Sequence, residues 1–168
     1  MRWLIDGYNV IRRDPDLQSQ EASSLEAGRS ALLSLLARVA VKVSDDFTVV
    51  FDGARRTGGT PSPGRVQVIF SRPPETADDV LRRLATSLRE GAIVVTSDRA
   101  VQDSARRAGA VAVGAEAFVE AATTRDTVVD DGSKDVEEDD TPTRRGPSRR
   151  PSREARDAAR VLRRLRFR

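Results

Sequence analysis

The sequence predicts an α/β domain: a central, mainly parallel sheet of about five strands flanked by helices, followed by a polar linker and a basic terminal helix. Three observations predict it. Short β-branched runs are apolar at consecutive positions, the mark of strands buried on both faces. Several of these runs are separated by segments of helical periodicity. The composition then changes sharply beyond residue 122, where large apolar residues almost vanish after Val129.

Trp3-Leu4-Ile5 is the first strand, and Asp6-Gly7 ends it in a turn. Ser24 to Val43 is a helix, with Leu25, Leu32, Leu33, Leu35, Leu36, Val39, Ala40 and Val43 on a broad apolar face. Phe47 to Phe51 is a second strand, closed by Asp52-Gly53, and Val66 to Phe70 a third. The loop between them, Ala54 to Arg65, is too polar and too rich in Gly and Pro for a helix. The pair is therefore either a hairpin or a crossover without a helix. Thr76 caps a helix reaching Leu88, with Asp78 and Asp79 in its first turn. Ala92 to Thr96 is a continuous apolar strand ended by Ser97-Asp98. Val101 to Ala108 is a helix closed by Gly109, Ala110 to Val113 a fifth strand and Glu116 to Ala122 a short helix.

Charge divides the chain. The net charge is +3 overall, but it is +1 over residues 1–125, −7 over 126–140 and +9 over 141–168. Residues 123–151 read as a disordered acidic-to-basic linker, too poor in apolar groups to offset chain entropy. Residues 152–168 carry Ala155, Ala158, Ala159, Leu162 and Leu165 at helical spacing, with Ser152 as N-cap and arginines around the rest of the wheel. This basic amphipathic helix suits packing on its own domain, or docking on nucleic acid or the ribosome surface. Its small alanine face argues against a membrane. The expected organisation is thus a domain over 1–122, a linker over 123–151 and a helix over 152–168.

Absences narrow the chemistry. There is no cysteine and no histidine, which excludes disulfides, thiolate or imidazole metal sites and imidazole bases. No Gly-rich loop ends in Lys-Ser/Thr, and no G-x-G-x-x-G follows the first strand. No signal-like h-region opens the chain and no run approaches the ~20 apolar residues of a membrane span, so a cytoplasmic protein is expected.

What remains is carboxylates. Asp6, Asp52 and Asp98 each end a strand. In an open parallel sheet the carboxyl ends of strands share one edge, where ligands bind. Asp78 and Asp79 reach the same edge if their helix follows the third strand. Each acid alone has an ordinary explanation: Asp6 and Asp52 as turn residues, Asp98, Asp78 and Asp79 as helix-start acids, Asp103 as a solvated helix residue. Converging carboxylates are tolerated when a cation neutralises them or when some stay protonated, and a cation held only by oxygen ligands would be a hard ion, Mg²⁺ or Mn²⁺.

Ile5-Asp6-Gly7-Tyr8-Asn9-Val10-Ile11 resembles the opening motif of NYN-domain proteins, a branch of the PIN-like ribonucleases. Val49 to Gly53, Val68 to Ser71, Glu75-Thr76-Ala77-Asp78-Asp79 and Val94 to Asp98 follow in the order of its YacP-like subgroup. The resemblance covers about residues 2–122 and implies a three-layer PIN-like fold with an acidic metal site that cleaves RNA, as an endonuclease, in RNA processing or on ribosome-associated messenger RNA. Carried over motif by motif, it implies Asp6, Asp78 and Asp98 as metal ligands bound to Mg²⁺ or Mn²⁺, with Asn9 orienting water or phosphate. Asp52, Asp79, Ser97 and Asp103 are possible accessory groups. Arg55, Arg56 and Arg65 in the loop, and Arg72 and Arg99 near strand ends, are candidates to contact the RNA backbone. The competing reading is a non-catalytic adaptor for RNA or the ribosome on the same fold. With one Trp, one Tyr and five Phe, recognition through backbone and shape is favoured over base stacking.

Overall fold

The computed structural model describes residues 1–53, 64–124 and 152–166. Five strands, β1 (Arg2–Asp6), β2 (Asp46–Phe51), β3 (Val66–Phe70), β4 (Ala92–Val95) and β5 (Val111–Val113), form one sheet in the order β3-β2-β1-β4-β5. Every neighbouring pair is parallel. β2 and β3 therefore are not a hairpin. The chain between them must return to the start of the sheet, and most of that path lies outside the described residues, as do Arg55 and Arg56 and residues 125–151 of the expected linker.

Alternation along the strands sorts the side chains into two cores. Trp3, Ile5, Phe47, Val49, Phe51, Ile93 and Val95 face one side, with α1 (Gly7–Ile11), α2 (Pro15–Ser23), α3 (Leu25–Val43), α6 (Ala115–Thr123) and α7 (Arg153–Arg166). Leu4, Val50, Ala92 and Val94 face the other, under α4 (Ala77–Leu88) and α5 (Arg99–Arg107). A parallel sheet covered on both faces calls for near-continuous apolar strands, and between the strand ends only Thr48 and Gln67 interrupt them here. Trp3 anchors the larger core, stacked on Phe47 at 5.7 Å between ring centroids and tilted against Phe118 at the same distance.

Two helices had no counterpart in the sequence reading. α1 begins directly after β1, where a turn is expected, and Asp6 is its N-cap. α2 is capped by Asp14, with Pro15 at its first position, but buries only Leu17, so it shows no apolar periodicity. α5 starts two residues earlier than its apolar pattern suggests, because Asp98 caps it. Thr76 caps α4 in a reciprocal capping box with Asp79. α6 runs on through Thr123.

α7 packs on the body. Val161 and Leu165 are buried in the larger core, and Arg166 pairs with Glu120 of α6 at 3.2 Å. The main fastening is Asp45, only 4% exposed. Its carboxylate accepts from Trp3 Nε1 at 3.1 Å, the Met1 amino group at 3.0 Å and Arg164 at 3.0 Å.

Candidate active site

The strand order reverses its direction of growth between β1 and β4, and a parallel sheet opens a crevice outside the carboxyl ends of the strands at such a point. β1 ends there in Asp6, and β4 runs directly into Thr96, Ser97 and Asp98. Register brings them together, since Ile5 pairs with Val95. The Thr96 hydroxyl donates to Asp6 Oδ2 at 2.9 Å and accepts from the Asp98 amide at 3.1 Å. One buried threonine thus links the two acids across neighbouring strands.

Asn9 sits on the first turn of α1. Its amide donates to Asp6 Oδ1 at 3.3 Å, and its side-chain oxygen accepts from the Ser97 amide at 2.8 Å. The Ser97 hydroxyl donates to Glu116 Oε2 at 2.6 Å and accepts from the Ala115 amide at 3.1 Å. Glu116 pairs in turn with Arg13 at 3.1 Å. Asn9 is therefore held from behind by Ser97, which is itself fixed to the start of α6.

The third side of the site comes from β2 and α4. Asp52 Oδ1 accepts from the buried Ser71 hydroxyl at 2.7 Å and from the Ala77 amide at 3.0 Å. These bonds tie the ends of β2 and β3 to the start of α4, which sets Asp78 facing the crevice. Asp6, Asn9, Asp52 and Asp78 line one cavity of about 560 Å³, together with Tyr8, Arg12 and Arg13.

Gly7 closes the β1–α1 connection onto the core. A Cβ there would lie 2.2 Å from Cε1 of the buried Phe51 ring, so the residue after Asp6 must lack a side chain for α1 to pack at this depth. The reason is close approach, not backbone angle.

The electrostatics mark the same residues. Burial raises the pKa of Asp6 above its usual value, and the charges of Asp78 and Asp98 add to this, against the bonds from Thr96 and Asn9. Burial likewise raises Asp78, reinforced by Asp98, Asp52 and Asp79 and opposed by Arg82. Asp6, Asp78 and Asp98 thus stand within electrostatic reach of one another. Among the described residues, however, no three acidic side chains are gathered tightly enough to cage an ion by themselves.

The remaining sequence candidates separate. Asp79 is exposed, its pKa lowered by the Thr76 backbone and side-chain bonds, and it serves the helix cap. Asp103 is exposed and pairs with Arg106 at 2.8 Å; it does not join the crevice. Arg72 and Arg99 are exposed on the carboxyl edge, just after β3 and at the start of α5. Arg65 precedes β3 and bonds the Ser44 carbonyl at 2.5 Å, which puts it at the opposite edge of the sheet. Tyr8, Arg12, Arg13, Ser71, Thr96 and Glu116 complete the neighbourhood and were not among the sequence candidates.

A parallel sheet between helices, with strand-end acids gathered at its switch point, defines an α/β domain of the PIN-like nuclease fold. The sequence profile of the YacP-like NYN domain matches residues 3–164, and the chain belongs to that family. The match extends into α7. The chain is 36% identical over 100 residues to the uncharacterized protein YacP of Bacillus subtilis (strain 168), a stretch covering 56% of this chain and 59% of that protein. It is also similar to the crystal structure of Rae1 (YacP) from Bacillus subtilis, with a TM-score of 0.64 and 31% identity over 73% of each chain. A tryptophan-to-leucine variant of that protein superposes with a TM-score of 0.61 and 30% identity, covering 73% of this chain and 74% of that one.

Proposed function

We propose that this protein is a divalent-metal-dependent ribonuclease that hydrolyses RNA phosphodiester bonds endonucleolytically. The observation that carries the reading is the convergence of Asp6, Asp78 and Asp98, from three separate chain segments, at the sheet's switch point, where Asp6 and Asp78 are both made harder to ionise. A cluster of mutually repelling carboxylates is unfavourable in a bare fold and is what a cation site requires.

The donor set fits Mg²⁺ or Mn²⁺. All the groups are hard oxygens, and among the described residues the bonds that anchor Asp98 and Asp52 use only Oδ1 of each. An arrangement too open to cage an ion suits Mg²⁺, which retains several waters and uses few protein ligands. Asp6, Asp78 and Asp98 would hold the ion, directly or through water. When bound, it would acidify an attacking water and neutralise charge growing on the phosphate.

The chain's own groups do the rest. Thr96 holds Asp6 and the Asp98 backbone in fixed relation. Asn9 uses its side-chain oxygen on Ser97 and its backbone amide on Asp6, which leaves the side-chain Nδ2 to donate to a phosphate oxygen or a water in the cavity that Asn9 lines. Asp52 and Ser71 hold the start of α4 so that Asp78 faces Asp6.

The test is cleavage of a labelled structured RNA with Mg²⁺ or Mn²⁺, with EDTA as control. Cleavage that disappears in the Asp6→Asn, Asp78→Asn double variant supports the reading. Cleavage retained in that variant refutes the assignment. RNA binding without turnover in the native protein would make it an adaptor.

A further inference from the structure

Among the described residues, the cavity beside the acids is lined by one arginine that no carboxylate holds. Arg13 is paired with Glu116 at 3.1 Å, and Arg82 lies by Asp78 and Asp79. Arg12 also lines the cavity, is exposed, and has no carboxylate partner among the described residues. Its guanidinium instead lies over the Tyr8 ring, 5.7 Å from the centroid. The spacing is i to i+4 on α1, which places one side chain above the other.

The platform under Arg12 is itself fixed. Tyr8 meets the buried Phe51 ring edge-on at 5.1 Å, and its hydroxyl accepts from Arg29 Nη1 at 3.3 Å. A guanidinium held over an aromatic ring keeps its charge and spends none of its N–H donors on a carboxylate. Those donors suit two oxygens of a phosphate. Position matters as well. The cavity's acids, Asp6, Asp52 and Asp78, would repel an RNA strand, and Arg12 lines the same cavity six residues after the β1 strand end.

We propose that Arg12, seated on Tyr8, grips a backbone phosphate of the RNA adjacent to the phosphodiester that is cleaved. The proposal rests on the ribonuclease reading and is a substrate-binding role, distinct from the chemistry of the acids. It also explains why a guanidinium with no carboxylate partner among the described residues is held over a fixed ring next to an acidic cavity.

The experiment compares native protein, Arg12→Ala, Arg12→Lys and Arg38→Ala, the last an exposed arginine on α3 that matches the charge loss. Two quantities are read: KM for cleavage with Mg²⁺, and affinity for a short fluorescent single-stranded RNA in EDTA, where nothing is cut. Arg12→Ala is expected to raise both KM and Kd about tenfold or more and to flatten the salt dependence of log Kd by about 0.7, one phosphate contact on a single strand. Arg12→Lys keeps the salt slope and recovers only part of the affinity, because an ammonium cannot offer the planar fork. Arg38→Ala stays near native. If Arg12→Ala matches Arg38→Ala in both assays while the native protein cleaves RNA, the Arg12 role is overturned and the ribonuclease reading stands. If the native protein does not cleave, that reading falls, and the EDTA affinities alone decide Arg12. Equal melting temperatures across the set exclude a folding effect.

Discussion

Gly7→Ala is the sharpest test of how the fold holds Asp6. The added Cβ would lie 2.2 Å from Cε1, 2.5 Å from Cδ1 and 2.9 Å from Cζ of Phe51. Ordinary contact begins at 3.4 Å, so the ring or the α1 backbone has to move by about 1 Å. The ring is not free to move. It is fully buried, stacked on Phe70 at 5.7 Å and met edge-on by Tyr8. Overpacking of this kind costs about 1–3 kcal/mol, which for a chain of this size lowers the melting temperature by about 3–10 °C. If α1 moves instead, Asn9 and the cap on Asp6 move with it, and RNA cleavage falls although position 7 touches no substrate. The assay is a thermal melt by circular dichroism beside the cleavage rate. A melting temperature within about 1 °C of native, with native cleavage, would refute the claim that Phe51 packs on the backbone at Gly7.

Two further outcomes follow from the same geometry. The folded state holds Asp78 at a raised pKa, so it takes up a proton more readily than the unfolded chain. Stability should therefore fall as pH rises from the usual aspartate range through the raised value, then level off. Asp78→Asn should melt higher than native at neutral pH without divalent ions, and the gap should close in acid; equal melting curves at neutral pH would contradict this. Asp45→Ala strands the buried Trp3 Nε1 donor and frees Arg164, at a cost of about 3 kcal/mol. Urea denaturation should show that loss and limited trypsin digestion should reach α7 sooner, with Asp45→Asn intermediate; a loss under about 1 kcal/mol would contradict the packing described.

The strands were legible because each is a largely apolar, β-branched run, broken within only by Thr48 and Gln67. α4 was legible from Thr76 and its first-turn acids. α1 and α2 were not, since five residues show no period and a single buried Leu17 makes none. Losing α1 hid Arg12 and Arg13, because only a helical turn carries them back over the acids. The acids themselves could be read from strand ends, since topology alone brings Asp6 and Asp98 side by side. Thr96 and Ser71 could not, because their work as donors to Asp6 and Asp52 depends on cross-strand register. Arg65 shows the cost of not knowing strand direction. In a parallel pair the residue entering β3 arrives at the edge opposite to the one where β2 ends.

The account depends on Asp6, Asp78 and Asp98 acting as one cation site. Calorimetric titration of the metal-free protein with Mn²⁺ tests this without RNA. Native protein and Asp103→Asn should bind alike, while Asp6→Asn, Asp78→Asn and Asp98→Asn should each weaken binding about tenfold or more. Uptake of Mn²⁺ with the same affinity in all five proteins, or none by the native chain, would contradict it.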